Sequence, residues 1–291
     1  MKGTPYLAWI LVHHQNTREV LRFVKHLHEQ SVPASWRLQI LIVDNSSDFP
    51  YSEELEAQVL RPGRNLGYLN GGAYGVEAFR EQKGHWPPWT VISNADLVLE
   101  RRFVETLLVR EIPDTVGIVA PDVRTSEGAR HNPFMRRRPS LARMQMRKGV
   151  FTRSSWTAMY RCLSAVKNCV APYFSIPNDS THPERIPIYA PHGSIFVVRD
   201  AFMKQGGVLP YDAFLFGEEV HLAEQARIAE VDVVWMPDLR ARHKQKSTVD
   251  RVNAERRRKW HLESAEFLCK TYFQQNESEE QGERDSPRAA R

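Results

Sequence analysis

Asp96 stands where a carboxylate is costly. It follows Thr90-Val91-Ile92, which reads as a buried strand, and the polar break Ser93-Asn94-Ala95; the apolar pattern resumes at Leu97-Val98-Leu99. An ionised group at the end of a buried strand needs a partner, and a divalent cation is the commonest one. Mg2+ and Mn2+ take oxygen ligands and usually carry phosphates. The other reading is that Asp96 only shapes a strand-end turn. Two more polar clusters close apolar runs in the same way. His13-His14-Gln15-Asn16 follows Ile10-Leu11-Val12, and Asp44-Asn45-Ser46 follows Ile42-Val43. The adjacent histidines do not suggest a metal pair, because neighbours on a strand point to opposite faces.

These clusters need elements to hold them. Strand-like Leu7–Val12 is followed by a helical stretch from Thr17 to Gln30, whose Val20, Phe23, Val24 and Leu27 share one face. Strand-like Leu38–Val43 comes next. Glu53 to Leu60 fits either period, Gly67 to Glu81 is Gly-rich and then helical, and the strand ending at Ser93 follows. Alternating strands and helices predict an α/β fold: a mostly parallel, Rossmann-like central sheet flanked by helices. In such sheets ligands bind beyond the carboxyl ends of the strands, where the three polar clusters lie.

The alternation breaks between Arg124 and Pro187. No acidic residue occurs between Gly128 and Asn178, while Arg130, Arg136, Arg137, Arg138, Arg143, Arg147, Lys148 and Arg153 crowd the first half. Trp156, Met159, Tyr160, Leu163 and Val166 then recur at helical spacing. The segment reads as a basic helical insertion. One reading is solvated arginines on an ordinary insertion. The others are an anionic acceptor or an anionic membrane surface. No nucleic-acid-binding motif accompanies the charge. Strand-like Ser194–Val198 and Val231–Trp235 follow, then a terminal helix from Arg251 to Phe273. The polar stretch 274–291 predicts disorder.

With 291 residues, 42% of them hydrophobic, one large domain with a real core is expected over residues 1–273. Its nucleotide-binding half would cover about 1–123, the basic insertion 124–187 and the acceptor half 188–273. Cys162, Cys169 and Cys269 form neither a metal spacing nor an even disulfide set, so a reduced, cytoplasmic compartment is expected. No secretory signal is visible, and no apolar run approaches the roughly 20 residues that span a bilayer.

Seven segments occur in a recognisable order: Ile10–Asn16, Ile42–Asp48, Arg64–Gly72, Ser93–Asp96, His192–Arg199, Gly206 to Leu222 with its Phe214-Leu215-Phe216-Gly217-Glu218-Glu219, and Pro237-Asp238 with Arg242-His243. In this order the chain, from about residue 6 to 273, resembles a family 2 glycosyltransferase of the GT-A fold. The nearest branch is the rhamnosyltransferase-like one of bacterial surface polysaccharide synthesis, in capsule or O-antigen.

The resemblance implies a role for each motif. Asp96 would hold Mn2+ or Mg2+ beneath the donor diphosphate, with Asn94 near the ribose or sugar. His243 would bind metal or diphosphate; a surface histidine in a basic segment is the other reading. Asp44 would pair with the base of a UDP- or dTDP-sugar, the alternative being an Asx turn with Ser46 or Ser47. His14 and Asn16 would line that pocket, and Asn65 and Gly67 would form a Gly-rich turn beside the donor, or else a turn and helix cap. His192 and Gly193 would complete the donor site. Glu219, with Glu218 beside it, would be the general base of an inverting transfer; a helix-start preference for acid is the bland alternative. The family's usual Glu-Asp is Glu-Glu here, and its following Asp is His221. The acceptor would be a lipid-linked glycan, with Arg136 to Arg153 facing the membrane or acceptor phosphates and the protein peripheral on the membrane's inner face. His14, Asn94, Glu219 and His221, each a departure from the family's usual residue, also motivate a second reading, a non-catalytic homologue that binds nucleotide-sugar or partner proteins. A nucleotidyltransferase would need a Gly-rich basic loop right after the first strand, and His13 to Arg18 supplies none.

Overall fold

The computed structural model of the chain describes residues 3–50, 55–153, 185–244 and 252–274. Strand β1 (Tyr6–His13) is buried on both faces. Leu7, Trp9 and Leu11 join one core; Ala8 and Ile10 join the other. Two buried faces explain why this run is continuously apolar rather than alternating. Helix α1 (Thr17–His28) covers the first core with Val20, Phe23, Val24 and Leu27. Helix α2 (Tyr68–Lys83) covers the second with Leu69, Val76 and Phe79. Full burial of each such side chain is worth roughly 1.5–3 kcal/mol.

Strands β2 (Arg37–Asp44) and β4 (Trp89–Ser93) flank β1 in parallel, and β3 (Gln58–Leu60) extends β2 in parallel. The register sets His13 opposite Asp44 and Leu11 opposite Ser93, so the polar clusters emerge along one sheet edge. The remaining strands are β5 (Leu97–Leu99), β6 (Val116–Thr125), β7 (Ile186–Pro187), β8 (Ile195–Arg199) and β9 (Asp232–His243). The sheet order is β3-β2-β1-β4-β8-β6-β9-β5, with β7 also pairing β9. The longest registers, β1–β2 and β6–β9, are parallel, whereas β8 runs antiparallel to both β4 and β6. This is the mostly parallel α/β sheet that the alternation predicts. Further helices are α3 (Phe103–Val109), α4 (Leu141–Thr152), α5 (Asp200–Lys204), α6 (Glu218–Ile228) and α7 (Ala254–Leu268), the last running into a π-helical turn, Cys269–Phe273.

Three elements depart from the sequence reading. Strand β6 lies where no strand is expected, because Gly117 and Pro121 interrupt its pattern; Pro121 is tolerated at a register shift against β9. Strand β9 continues past Trp235, where its apolar run ends. Met236 and Arg240 pair with consecutive residues of β6, so Pro237-Asp238-Leu239 bulge out and the strand still delivers His243. The segment 124–187 is helical only over Leu141–Thr152 among the described residues. It is stitched to the sheet by the end of β6, by β7 and by a bridge between Met135 and Ala190. The periodicity from Trp156 to Val166, Cys162 and Cys169, and the polar tail from 275 onward lie outside the described residues. Among the described residues no helix is long and apolar enough to cross a membrane.

Candidate active site

Asp44 ends β2 fully buried. Its Oδ1 lies 2.9 Å from His13 Nδ1 and accepts from the Ser46 N–H (3.2 Å), while Oδ2 accepts from the Phe49 N–H (2.9 Å). Burial alone raises its pKa, but the Phe49 N–H, His13 and the Ser46 N–H together hold it down at about 2. An ionised carboxylate only accepts, so His13 Nδ1 carries the proton, and Nε2 meets Thr17 Oγ1 at 3.0 Å. Asp44 thus builds the turn after β2, the Asx-type role, and both of its oxygens are engaged within the chain. Asp48 Oδ1 lies 3.8 Å from His13 Nδ1, so His13, Asp44 and Asp48 bring three metal-ligand types together. The bonds just described use both His13 nitrogens and both Asp44 oxygens, which favours a structural role for that trio.

His14 is partly exposed beside this buried pair. Its N–H donates to Asn16 Oδ1 (3.0 Å), and its Nδ1 lies 3.4 Å from Asn65 Nδ2. Asn45, buried, donates through Nδ2 to the Gly67 carbonyl (2.9 Å) and accepts from the Leu66 N–H (3.3 Å). His14, Asn16, Asn65 and Gly67 therefore gather on one rim above the ends of β1 and β2. Gly67 has φ +83°, and a Cβ there would lie 2.2 Å from the Phe214 carbonyl oxygen. Only glycine lets the turn seat against the loop preceding α6. Asn70 locks that contact, donating to the Tyr211 carbonyl and accepting from its N–H, both at 2.7 Å.

A second cluster forms around Asp96. Asn94 N–H donates to the Ser194 carbonyl (2.9 Å), joining the end of β4 to the start of β8. Strand β5 pairs antiparallel with the end of β9, setting Leu97 opposite His243, and Lys244 N–H donates to the Asp96 carbonyl (3.0 Å). Asp96, nearly buried, consequently has Oδ1 3.1 Å from His243 Nε2. The His243 ring contacts His131 (centroids 5.6 Å) and His192 (6.0 Å), which pack on each other at 4.3 Å. Burial, with His131 and His243 as neighbours, pushes His192 down to about 3; burial also lowers His131. Both stay neutral imidazoles. Exposed Phe134 stands edge-on to His192 at 5.4 Å.

The glutamate pair faces this cluster. Glu218 and Glu219 open α6 directly after Phe216 (φ +70°) and Gly217 (φ +84°), a left-handed pair that turns the chain into the helix. A Cβ on Gly193 would fall 2.6 Å from Glu219 Oε1, so Gly193 exists to admit that carboxylate, and its N–H hydrogen-bonds to it. Burial raises both glutamates; the charge of Glu219 raises Glu218 further, and backbone N–H groups with Arg147 act in the opposite direction. Between the clusters stands Tyr68, donating to the Ile92 carbonyl (3.2 Å). Burial holds its hydroxyl well above the normal range, and the charges of Glu218, Glu219 and Asp96 add to that.

The structure thus assembles Asp96, Asn94, His243, His192, Gly193, Glu218 and Glu219 at one end of the sheet, next to the rim of His14, Asn16, Asn65 and Gly67. His221 instead packs inward, Nδ1 2.8 Å from the Tyr272 hydroxyl. Sequence reasoning missed Tyr68 and His131, and named Arg147 only as one member of the basic segment. The first sits inside a Gly-rich motif, the second in an irregular loop, and the third among many arginines. Arg138 is a correction to the membrane-facing cluster. It forks onto fully buried Glu224 (2.7 and 3.1 Å), which also accepts from the Tyr189 hydroxyl (2.7 Å).

Asp96 and His243 fit a divalent cation. Their facing atoms are 3.1 Å apart, close to the ~3 Å between adjacent ligands of an octahedral ion held at about 2.1 Å. A carboxylate oxygen with an imidazole nitrogen suits Mn2+.

No model of a known protein family and no curated protein matches the sequence. Similarity to solved structures lies in the fold. The crystal structure of GalNAc-T7 with UDP, GalNAc and Mn2+ superposes with a TM-score of 0.54 at 13% identity, over 85% of this chain and 45% of that one. That of S. aureus TarS superposes with a TM-score of 0.50 at 9% identity, over 82% and 36%. The chain spans less than half the length of either. The fold is that of the GT-A-type glycosyltransferases.

Proposed function

We propose that the chain is a metal-assisted, inverting glycosyltransferase that moves a sugar from a UDP- or dTDP-sugar to a glycan acceptor. The observation that carries this reading is the convergence of Asp96, His243 and Glu219 at the carboxyl ends of the strands. The neighbour GalNAc-T7 was crystallised with UDP, GalNAc and Mn2+, which supports the same class of donor, acceptor and ion.

Asp96 and His243 would hold Mn2+ or Mg2+; when bound, such an ion neutralises the diphosphate leaving group. The rim of His14, Asn16, Asn65 and Gly67 receives the nucleoside. Because the Asp44 oxygens are engaged, Asp44 shapes that rim from beneath, and the base meets His14 and Asn65. Asn94, His192 and Gly193 line the sugar. Glu219 takes the proton of the acceptor hydroxyl as its oxygen bonds to the anomeric carbon and the bond to the diphosphate breaks. The raised pKa of the buried pair makes it a stronger base. Exposed Arg136 and Arg137 offer charge to a lipid-linked acceptor or an anionic membrane surface, which fits the rhamnosyltransferase-like branch of surface-polysaccharide synthesis.

The test is a turnover screen of nucleotide-sugars with and without Mn2+, with donor hydrolysis as readout. Metal-dependent turnover lost in Glu219→Gln supports the transferase. Binding of a nucleotide-sugar with no turnover across donors and glycan acceptors supports the binding-only homologue.

A further inference from the structure

Resting on the transferase reading, we infer that Arg147 of α4 binds a negatively charged group of the acceptor, a sugar carboxylate or phosphate, beside Glu219. Arg147 comes three residues after Met144 and four before Phe151, the two buried residues of α4, so it shares their inward face. That face lies on α7. The Phe151 ring stacks on His261 (4.4 Å, 9°), and His261 stacks in turn on Phe216 (3.6 Å, 18°), which precedes Gly217 and the glutamate pair. In keeping with that stacked face, the charge of Arg147 is felt by Glu218, Glu219, Tyr211 and His261.

Its neighbours are committed elsewhere. Arg138 serves Glu224, Lys148 lies 3.4 Å from Glu266, and Arg258 bonds the carbonyls of Phe151 and Thr152. Arg143 is exposed. Arg147 is half-buried and forms no hydrogen bond or ion pair among the described residues. A partly desolvated guanidinium is costly until an anion meets its fork, and a planar carboxylate or a phosphate fits that fork with two parallel bonds. Two buried glutamates alone repel an anionic acceptor; the Arg147 charge offsets part of that repulsion beside Glu219.

The test is calorimetric binding of glucuronate, glucose 6-phosphate and neutral methyl glucoside to the full chain with UDP and Mn2+ present, for wild type, Arg147→Met, Arg147→Lys and the exposed control Arg143→Met. A charged saccharide is expected to bind wild type and Arg143→Met alike, and Arg147→Met about tenfold or more weaker, the size of a lost charge-assisted bond. Arg147→Lys falls between, and methyl glucoside is indifferent to the substitutions. Which charged probe binds distinguishes carboxylate from phosphate. The inference is overturned if neither charged probe binds wild type better than methyl glucoside, or if Arg147→Met and Arg143→Met weaken equally. Titrations of UDP and of dTDP into the same proteins report separately on the transferase reading, which fails if neither nucleotide binds.

Discussion

His243 Nε2 faces Asp96 Oδ1 at 3.1 Å because β5 pairs antiparallel with the last residues of β9, opposing Leu97 and His243. The two residues are remote in sequence and come from different strand ends, so the pair exists only once the far half of the sheet has closed. The bulge at Pro237–Leu239 decides the register that brings His243 there. Building the proposed cation site therefore requires the far half of the sheet to be in place.

The glutamate pair ties activity to stability. Its pKa values are raised in the folded state, so its contribution to stability is fully present below the ordinary carboxylate range and is lost as pH rises through the raised values. Thermal melts of wild type should fall as pH rises from about 5 to 8, and Glu218→Gln should flatten that fall and gain about 1 kcal/mol near neutrality. The same substitution leaves in place the burial that raises Glu219, so the acidic limb of kcat/KM should stay above the ordinary carboxylate range. A limb inside the ordinary range separates the base from this pair.

Asp44 behaves in the opposite sense. Its folded pKa of about 2 lies below the ordinary value, so its stabilisation is present above about pH 4 and lost as pH falls towards 2. Asp44→Asn should cost about 2 kcal/mol at pH 7 in denaturant melts and almost nothing at pH 2. A pH-independent loss would assign its role to shape rather than charge.

The two glycines should separate stability from chemistry. Gly67→Ala drives a methyl into the Phe214 carbonyl at a left-handed position and should cost several kcal/mol of stability, roughly 2–4 by analogy with overpacking plus backbone strain. Gly193→Ala instead displaces the Glu219 carboxylate. It should lower kcat with a smaller loss in the melt, read by steady-state kinetics beside calorimetry.

The basic segment should divide by direction. Glu224 is fully buried beneath Arg138 and also meets Arg227 Nε at 3.1 Å, so Arg138→Met should cost about 1–3 kcal/mol, the lost charge-assisted fork, while Arg227 still compensates the carboxylate. Arg136→Met with Arg137→Met should leave the melt unchanged and weaken sedimentation with anionic vesicles. Vesicle binding untouched by the double change would detach those arginines from any membrane role.

The sequence made the parallel half of the sheet legible because β1, β2 and β4 are buried on both faces and read as unbroken apolar runs. Strand β6 was illegible for the opposite reason: glycine and proline interrupt it, and the pairing with β9 that tolerates them is non-local. Asp96, Gly193 and Glu219 could be marked from their motifs, since each lies within two residues of where an element begins. The carboxylate of Asp44 turned inward, because whether its oxygens face a ligand or the Phe49 N–H depends on the turn after β2. Tyr68 escaped notice, and Arg147 stood out from the other arginines of its segment only once folded, because packing of α2 and α4 gives them their positions.

The most direct test is calorimetric titration of UDP, with and without Mn2+, into wild type, Asp96→Ala and His243→Ala. Wild type should bind UDP at least about tenfold more tightly with Mn2+, and both variants should lose that metal-dependent increment while remaining folded. Metal-independent UDP binding, or an increment that survives Asp96→Ala, would contradict a cation held by Asp96 and His243 at the donor site.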